Sequence, residues 1–253
     1  MDLTNIRTIF TSDLHLGNKW CKHEEFITLL KTVKNPEYLY LLGDFIDGWE
    51  LKRRRHKWHE AYNTIIRKIL KMDKHGTQII YTYGNHDDFL QHFKDQYGHI
   101  LITREHIHTT TTGKKYLCIH GDEFDCITKY VPILAFLGSL GYSFLLNTNW
   151  IINKIRKRTK QKHWSFSHYM KHNIKKAVAY LNDFENLITL YAAHKGCDGV
   201  ICGHIHTPTI KILNNITYIN CGDFQENATA IIERTNGQLE LIDLHTNQTT
   251  PIP

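Results

Sequence analysis

Seven side chains of the kinds that bind metal ions occur in five short motifs, each beside a glycine. The motifs are S-D-L-H-L-G at 12–17, G-D at 43–44, G-N-H-D at 84–87, H-G-D at 120–122 and G-H-I-H at 203–206. The candidate ligands within them are Asp13, His15, Asp44, Asn85, His120, His204 and His206. Burying seven such groups at one place would be costly unless cations neutralised them. A mixed oxygen and nitrogen ligand set without thiolates suits Mn, Fe, Zn, Co or Ni.

Each motif follows an apolar run that predicts a β-strand. The runs are Ile6–Thr11, Tyr38–Leu42, 78–83, Lys115–Ile119 and Gly199–Cys202. Open α/β sheets gather ligands at the carboxyl ends of their strands, and a glycine there permits a sharp exit from the strand. Asp13 and His15 are two residues apart at one strand end, so they project in the same direction and one metal can bind both. A single D-x-H pair is common by chance, whereas five such strand ends together predict a metal site.

The elements that must position these motifs indicate an α/β fold. Helical spacing of apolar residues marks 25–33 and 58–72, and these helices alternate with the first three strands. Such alternation predicts a mostly parallel sheet with helices packed outside it. After Ile100 short strands follow one another, and we expect them to form a second, more antiparallel sheet stacked on the first. These later strands are 107–111, Lys115–Ile119, Gly199–Cys202, 210–213, Ile216–Asn220, 228–233 and 239–244.

A long helical segment interrupts the series of motifs between residues 126 and 195. Its first part, 131–146, is almost entirely apolar but, at 16 residues, is shorter than the roughly 20 residues that span a bilayer. A buried helical hairpin is therefore expected there, with insertion into a membrane surface as the alternative. Amphipathic spacing from Phe166 to Tyr191 predicts a long helix after it. We expect a core of 1–125 and 196–245, a helical cap at 126–195 and a polar tail at 246–253.

The positive charge of the chain is concentrated in this predicted cap. Between Cys126 and Asn182 there are ten lysines and arginines and no acidic residue. The whole chain carries a net charge of +6, so the remainder carries −4. Most charge runs are only solvated faces, but one so one-sided indicates an anionic partner.

The cysteines and the N-terminus bear on location. The six cysteines form no C-x-x-C pair, and Cys118, Cys202 and Cys221 lie in or beside apolar runs. This pattern predicts reduced, buried thiols and hence a cytoplasmic protein. The N-terminus leads into a strand without a basic-then-apolar leader, so no cleaved signal peptide is expected.

The ordered motifs D-x-H, GD, GNHD, HGD and GH-x-H resemble those of the calcineurin-like metallophosphoesterases over residues 7 to 223. The resemblance implies a metallophosphoesterase sandwich of two stacked mixed β-sheets flanked by helices, here with a helical cap insertion. It implies two divalent metal ions, with manganese as the first expectation. The implied ligands are Asp13, His15 and His206 for one metal, Asn85, His120 and His204 for the other, and Asp44 between them.

The same resemblance implies the mechanism. Water activated between two cations would attack phosphorus in line, without a covalent enzyme intermediate. His86 would be the catalytic residue that stabilises charge on the phosphate or protonates the leaving group. Asp87, Asp122 and Asp223 would either orient ligand histidines or serve as ordinary loop caps.

Within this superfamily the chain is similar to the UDP-2,3-diacylglucosamine diphosphatases, peripheral enzymes of lipid A synthesis that release UMP and an acylated sugar 1-phosphate. The similarity lies in G-D-F-I-D-G-W at 43–49, H-G-D-E-F-D at 120–125, the overall length and the helical cap. It implies that Trp49 lies near the substrate entrance and that Arg156, Arg158 and Lys162 face phosphates or anionic lipid. The best-known branch has Arg in place of His86, so this chain resembles a sister branch or an enzyme with a related substrate.

Two other functions remain open at this point. A soluble phosphoesterase acting on nucleotides, phosphoproteins or nucleic acid would use the basic segment to grip phosphates. Nucleic acid is the least expected of these partners, because the basic run lacks a recognised nucleic-acid module. A scaffold that had lost turnover would be expected to lose ligands or the histidine of GNHD, and none is missing. An enzyme is therefore favoured.

Overall fold

The computed structural model describes residues 3–53, 58–127, 181 and 183–253, with the backbone alone at 126 and 127. The chain divides into two compact units, Met1–Asp122 with Ile188–Pro253, and Glu123–Leu187. All described residues except 123–127, 181 and 183–187 belong to the first unit. Arg156, Arg158, Lys162 and most of the predicted cap lie outside the described residues, so the cap and the role of these residues stay predictions.

Thirteen strands and four helices are described. The strands are β1 (Ile6–Thr11), β2 (Tyr38–Leu42), β3 (Gln78–Thr82), β4 (Asp95–Tyr97), β5 (Ile100–Thr103), β6 (Glu105–Thr109), β7 (Lys115–Ile119), β8 (Gly199–Cys202), β9 (Thr209–Leu213), β10 (Ile216–Asn220), β11 (Thr229–Arg234), β12 (Leu239–Asp243) and β13 (Gln248–Pro251). The helices are α1 (His23–Thr32), α2 (Gly48–Lys52), α3 (Glu60–Lys74) and α4 (183–194), the last beginning in the second unit.

The strands form two mixed sheets, which confirms the predicted fold class. The larger sheet has the order β13-β12-β11-β1-β2-β3-β5-β4, with β1, β2, β3 and β5 parallel. The smaller has the order β6-β7-β8-β10-β9, with β7, β8 and β10 parallel. The prediction that all strands after Ile100 form a second, more antiparallel sheet is wrong. Strand β11 instead pairs antiparallel with β1, with Phe10 opposite Ile231, and adds β12 and β13 to the larger sheet.

Two apolar cores hold the sheets in place. One lies between the larger sheet and helices α1 and α3, and it contains the predicted helix face of α3 at Tyr62, Ile65, Ile69 and Met72. The other lies between the two sheets and joins Phe10 and Tyr40 of the larger sheet to Tyr116 and Ile201 of the smaller. Because this second core locks strands of both sheets together, the loops at their carboxyl ends are held at one place.

Three features outside these cores complete the described part of the chain. The segment 246–253, predicted as a polar tail, includes edge strand β13, and Ile252 beyond it is buried. The five cysteines whose side chains are described, Cys21, Cys118, Cys197, Cys202 and Cys221, are free and buried, as predicted. Among the described helices, none has the length and apolar character needed to cross a bilayer.

Candidate metal centre

All five motifs lie at the carboxyl ends of strands and converge on one place. Strands β1, β2 and β3 of the larger sheet lead into the motifs at 12–17, 43–44 and 84–87. Strands β7 and β8 of the smaller sheet lead into those at 120–122 and 203–206. Each sheet therefore supplies part of the ligand set.

The backbone at this place is unusual. Five of the seven candidate ligands adopt the left-handed region with φ between 51° and 68°; they are Asp13, His15, Asp44, His204 and His206. Residues other than glycine seldom adopt this region, and each costs about 1–3 kcal/mol unless surrounding structure enforces it. Backbone hydrogen bonds enforce it here, since His15 N donates to Asp44 O at 2.8 Å and Asp13 N to Gly43 O at 3.2 Å. Strain of this kind gathers at functional sites, and sequence reasoning did not predict it.

Gly84 and Gly203 are required because a side chain at either position would clash with neighbouring residues, and not because of their backbone conformation. A Cβ atom at Gly84 would lie 2.5 Å from Cδ2 of His120 and would also overlap Asp44 Oδ1. One at Gly203 would overlap the side chains of Ser12 and Asp13. Neither glycine has a positive φ, whereas Gly43 does, at 79°. The expected role in the strand exit therefore applies to Gly43, and close approach of the ligands explains the other two.

Asp44 lies between the histidines of the two sheets. Its Oδ2 is 3.8 Å from His15 Nε2 of the larger sheet and 3.4 Å from His120 Nε2 of the smaller. Its Oδ1 accepts a hydrogen bond from the backbone N–H of His86 at 2.8 Å. The backbone of His86 thus fixes Oδ1, while Oδ2 faces both histidines. A carboxylate that binds two cations would need an oxygen in this position.

Asp13 lies close to the side-chain nitrogens of two further candidate ligands, His206 and His15. Its Oδ1 lies 3.2 Å from His206 Nε2 and 3.8 Å from His15 Nε2. Its Oδ2 accepts from the backbone N–H of His204 at 2.9 Å, which ties the loop after β1 to the loop after β8. Ligand atoms of Asp13, His15 and His206 all lie within 4.8 Å of one another, a spacing that could hold a metal ion.

Buried atoms without hydrogen-bond partners indicate whether these residues could bind cations. Among the described residues, five buried side-chain nitrogen or oxygen atoms have no hydrogen-bond partner. Four of them belong to candidate ligands, namely Asp13 Oδ1, His15 Nε2, Asn85 Oδ1 and His120 Nε2. Orphaned buried polar atoms normally cost about 1–3 kcal/mol each, so native proteins rarely keep several in one cluster. Divalent cations would satisfy all four, and the residues therefore fit the implied metal ions.

The ring nitrogens on the far sides of the histidines are held by acceptors. His120 Nδ1 donates to the carbonyl oxygen of Leu42 at 2.8 Å, and His206 Nδ1 donates to Asp223 Oδ2 at 3.0 Å. In the neutral ring the proton then lies on Nδ1, which leaves Nε2 able to present its lone pair to a cation at the centre, as in most metal-binding histidines. Asp223 is thus placed to orient His206, and it also caps its loop by accepting from Asn227 N at 2.8 Å.

Asp87 and Asp122 brace loops instead of orienting a ligand histidine through a hydrogen bond. Asp87 accepts from the backbone N–H groups of Gly84 and Phe45 and from the hydroxyl of Tyr81. Asp122 pairs with Arg104 at 2.7 Å. Of the two roles left open for these aspartates, the described contacts favour the structural one.

Asp47 is the residue that sequence reasoning missed. Its carboxylate accepts from His15 Nδ1 at 3.3 Å and from His86 Nδ1 at 3.0 Å. It also caps α2 by accepting from Glu50 N at 2.9 Å. Burial favours the neutral acid, but the bonds from the two histidines outweigh it and lower the pKa of Asp47. The spacing D-x-x-E at 47–50 signals only a helix cap, so the contacts with His15 and His86 were not visible in the sequence.

His86 and Trp49 form the exposed edge of the centre. His86 Nε2 lies 4.0 Å from Asp44 Oδ2, and its side chain is 22% exposed, whereas that of His120 is fully buried. The indole of Trp49 stacks on the His86 ring with centroids 4.0 Å apart. His86 also forms a metal-sized group with His15 and Asp44. Geometry therefore places both residues at the centre and leaves His86 able to serve chemistry or to bind a cation.

The remaining candidate ligands are Asn85 and His204. Asn85 lies in the loop after β3, next to His86, and its Oδ1 is buried without a partner. The His204 ring packs edge-to-face against His120, with centroids 5.2 Å apart. His204 belongs to none of the metal-sized groups formed by acidic, histidine and cysteine residues in the described part of the chain. Its role as a ligand stays a prediction.

Electrostatics show that the centre attracts positive charge. Burial disfavours a charged His206, but the carboxylates of Asp13 and Asp223 outweigh it and raise its pKa to about 10. Burial likewise opposes charge on His15, yet Asp13 and Asp47 raise its pKa to about 9. Asp13 keeps its charge in spite of complete burial, because His206 and His120 hold its pKa well below the usual value.

The model of one protein family matches most of the chain. It is described as calcineurin-like phosphoesterase and matches residues 6–208. Among solved structures, the phosphoesterase Yfce from E. coli superposes with a TM-score of 0.50 at 15% identity, covering 97% of each chain. At that identity the superposition shows a shared fold.

Curated relatives carry the name UDP-2,3-diacylglucosamine hydrolase. The protein from Proteus mirabilis is 26% identical over 222 residues, which cover 82% of this chain and 85% of that protein. The protein from Histophilus somni is 32% identical over 119 residues, 46% of this chain and 49% of the relative. The protein from Psychromonas ingrahamii is 29% identical over 120 residues, 46% and 48% respectively. In the latter two matches the chain spans about half the length of the relative.

Proposed function

This chain belongs to the calcineurin-like phosphoesterases and is a metal-dependent phosphoester hydrolase, and on that premise we propose that it splits the pyrophosphate of UDP-2,3-diacylglucosamine or a closely related lipid-linked nucleotide. The products would be UMP and an acylated sugar 1-phosphate. The observation that carries hydrolysis at a metal centre is the set of four orphaned atoms of candidate ligands, three of which belong to residues that form metal-sized groups with Asp44. The observation that supports the substrate is the name of the relatives, UDP-2,3-diacylglucosamine hydrolase, one of which matches over 82% of this chain.

We assign Asp13, His15 and His206 to one divalent cation and Asn85, His120 and His204 to a second, with Asp44 shared. Manganese is the first choice, and Fe, Zn, Co or Ni would also suit these ligands. When bound, such cations lower the pKa of water and polarise phosphoryl oxygens. The protein itself would contribute a rigid, largely buried pocket that holds these ligands in place.

His86 would act as the general acid that protonates the leaving group. Asp47 accepts from His86 Nδ1 at 3.0 Å, so the free nitrogen of the ring is Nε2, on the side of Asp44. A protonated Nε2 can donate to the departing phosphate oxygen or stabilise its charge. Trp49 covers one face of the ring and excludes water from it. Trp49 is half exposed and would meet the substrate at the entrance.

Exposed aromatic residues near the centre support contact with a lipid surface. Trp20 and Trp58 are 65% and 39% exposed. Asn18 contacts the surroundings of both tryptophans. Its side-chain oxygen accepts a hydrogen bond from the backbone N–H of Trp20, and its backbone carbonyl accepts one from the hydroxyl of Tyr62. The ring of Trp58 packs on the ring of Tyr62, with centroids 5.2 Å apart. Asn18 also donates to Asp47 at 3.4 Å, so this aromatic surface of Trp20 and Trp58 adjoins the metal centre. Tryptophans favour membrane interfaces, and we propose peripheral binding at the cytoplasmic leaflet.

We expect the purified enzyme, supplied with Mn, to release UMP from UDP-2,3-diacylglucosamine and to hydrolyse simple phosphodiesters much more slowly. Product analysis by mass spectrometry, with Mn and after chelation, measures both activities. No turnover with chelator present is expected for either substrate. Faster hydrolysis of nucleotides or phosphopeptides than of the lipid-linked substrate would favour the soluble alternative and contradict the proposed substrate.

The predicted cap should choose the substrate without taking part in bond cleavage. Changing Arg156, Lys157 and Arg158 to Ser should leave hydrolysis of a small phosphodiester nearly unchanged and remove much of the activity on the diacylated nucleotide sugar. The reason is that basic residues near an anionic leaflet contribute about 1 kcal/mol each. Sedimentation with anionic vesicles should show weaker binding and a weaker dependence on salt.

A variant with Trp20 and Trp58 changed to Ala provides the comparison for the vesicle measurement. It should also bind vesicles less, but its binding should keep the salt dependence, since the lost contacts are apolar. If the triple variant lost as much activity on the small phosphodiester as on the diacylated nucleotide sugar, the side chains of Arg156, Lys157 and Arg158 would belong to the catalytic centre. Unchanged activity and vesicle binding in both variants would contradict the membrane proposal.

A further inference from the structure

Arg104 lies at the junction of the two sheets. It is the only residue between β5, which ends at Thr103 in the larger sheet, and β6, which begins at Glu105 in the smaller. Its side chain is 27% exposed. It belongs to none of the five motifs, and neither the resemblance nor the proposed mechanism gives it a role.

The guanidinium of Arg104 is bonded to two of the ligand loops. Its Nη1 donates to the carbonyl oxygen of Tyr83 at 2.6 Å, and its Nη2 donates to Asp122 Oδ1 at 2.7 Å. It also lies over the Tyr83 ring, 5.2 Å from the ring centroid, within the roughly 6 Å of a cation–π contact. Tyr83 precedes Asn85 by two residues, and Asp122 follows His120 by two residues. One rigid planar group therefore joins the backbone at Tyr83, close to Asn85, to the side chain of Asp122, close to His120.

We propose that Arg104 is a positioning residue that sets the separation of Asn85 from His120, and so the affinity of the second of the two cation sites. The proposal rests on the metal assignment of the proposed function. Asn85 comes from the larger sheet and His120 from the smaller, and both present orphaned ligand atoms. A cation between them requires their separation to hold within about 0.5 Å.

Arginine suits this task because its fork of donors is planar and fixed. Both of its bonds here are charge-assisted and short, which makes them stronger and more directional than neutral ones. The first site depends on Asp13, His15 and His206, whose loops follow β1 and β8. The bonds of Arg104 to Tyr83 and Asp122 hold the loops after β3 and β7, which carry ligands of the second site, so its loss should weaken that site more than the first.

The test is a Mn²⁺ titration of the full chain without substrate, followed by electron paramagnetic resonance. In Arg104→Met we expect one of the two dissociation constants to rise about 10–100-fold, the usual effect of removing an outer partner of a metal site. The other constant should change less than about twofold. Arg104→Lys keeps the charge but can make only part of the contact, so its effect should be intermediate. Asp122→Asn should shift the same constant, and the double variant Arg104→Met with Asp122→Asn should add little.

Arg234→Met is the matched control. Arg234 pairs with Glu240 at 2.6 Å with comparable exposure, on β11 and β12 away from the ligand loops. It should lower the thermal midpoint without moving either Mn²⁺ constant. Equal weakening of both sites in Arg104→Met, no change in either, or an equal effect in the control would overturn the positioning role.

The outcomes separate this inference from the proposal on which it rests. If the unmodified chain binds fewer than two Mn²⁺ ions, the metal assignment fails and the positioning role fails with it. If it binds two but does not hydrolyse UDP-2,3-diacylglucosamine, only the substrate proposal fails. If Arg104→Met does not fold, the near-isosteric Asp122→Asn decides the question by the same titration.

Discussion

Asp44→Ala should abolish most of the hydrolysis of a small phosphodiester and leave the protein with no more than one cation per chain. Asp44 Oδ2 faces His15 and His120 at 3.8 and 3.4 Å, so it is placed to touch both of the proposed cations. We expect a fall in kcat/KM larger than the about 10²–10³-fold that follows loss of a single oxyanion donor. Metal analysis of the purified variant by mass spectrometry measures the cation count directly.

Two further variants make this prediction specific. Asp13→Ala should cost less activity than Asp44→Ala, because Asp13 is assigned to only one cation. Asp243→Ala is the control for loss of a turn carboxylate, since Asp243 caps a turn by accepting from His245 N and Thr246 N. It should keep both cations and full activity. Two bound cations and full activity in Asp44→Ala would contradict the assignment of the shared ligand.

His86→Ala should lower kcat by about 10²–10⁴, the usual range for losing a general acid or base, with the metal content unchanged. The reason is that His86 stands at the exposed edge of the centre, with Nδ1 held by Asp47 and Nε2 on the side of Asp44. Single-turnover kinetics together with metal analysis measures both quantities on one preparation.

The competing role for His86 is that of a ligand. Its group with His15 and Asp44 is compact enough to hold a cation, so loss of a metal ion in parallel with rate would assign it there. His99→Ala is the matched control. His99 is exposed and contacts Gln78 at the amino end of β3, away from the centre. It should change neither rate nor metal content.

Local patterns in the sequence predicted the strands well because burial leaves a local signal. Strands β1, β2, β7, β8 and β10 have the predicted bounds, and the buried face of α3 is the predicted one. The choice of neighbouring strand leaves no such signal, since an apolar strand fits either sheet. That is why the placement of β11 and β12 beside β1 was wrongly predicted.

The site was visible in the sequence only as far as residue types reveal it. Asp47 reads as an ordinary helix cap, and its contacts with His15 and His86 exist only because the loops after β1 and β3 meet. The left-handed backbone of the ligands is imposed by hydrogen bonds between loops that are distant in sequence. Arg104 lies between two strands with no motif, so its position at the sheet junction appears only in three dimensions.

Anomalous diffraction from crystals of the unmodified protein grown with Mn²⁺ tests the central claim most directly. We expect two peaks about 3.5–4 Å apart, the spacing of two-metal phosphoesterase sites, with Asp44 touching both. Asp13, His15 and His206 should surround one peak, and Asn85, His120 and His204 the other, with His86 bound to neither. A single peak, or two peaks that do not share Asp44, would contradict the proposed metal centre.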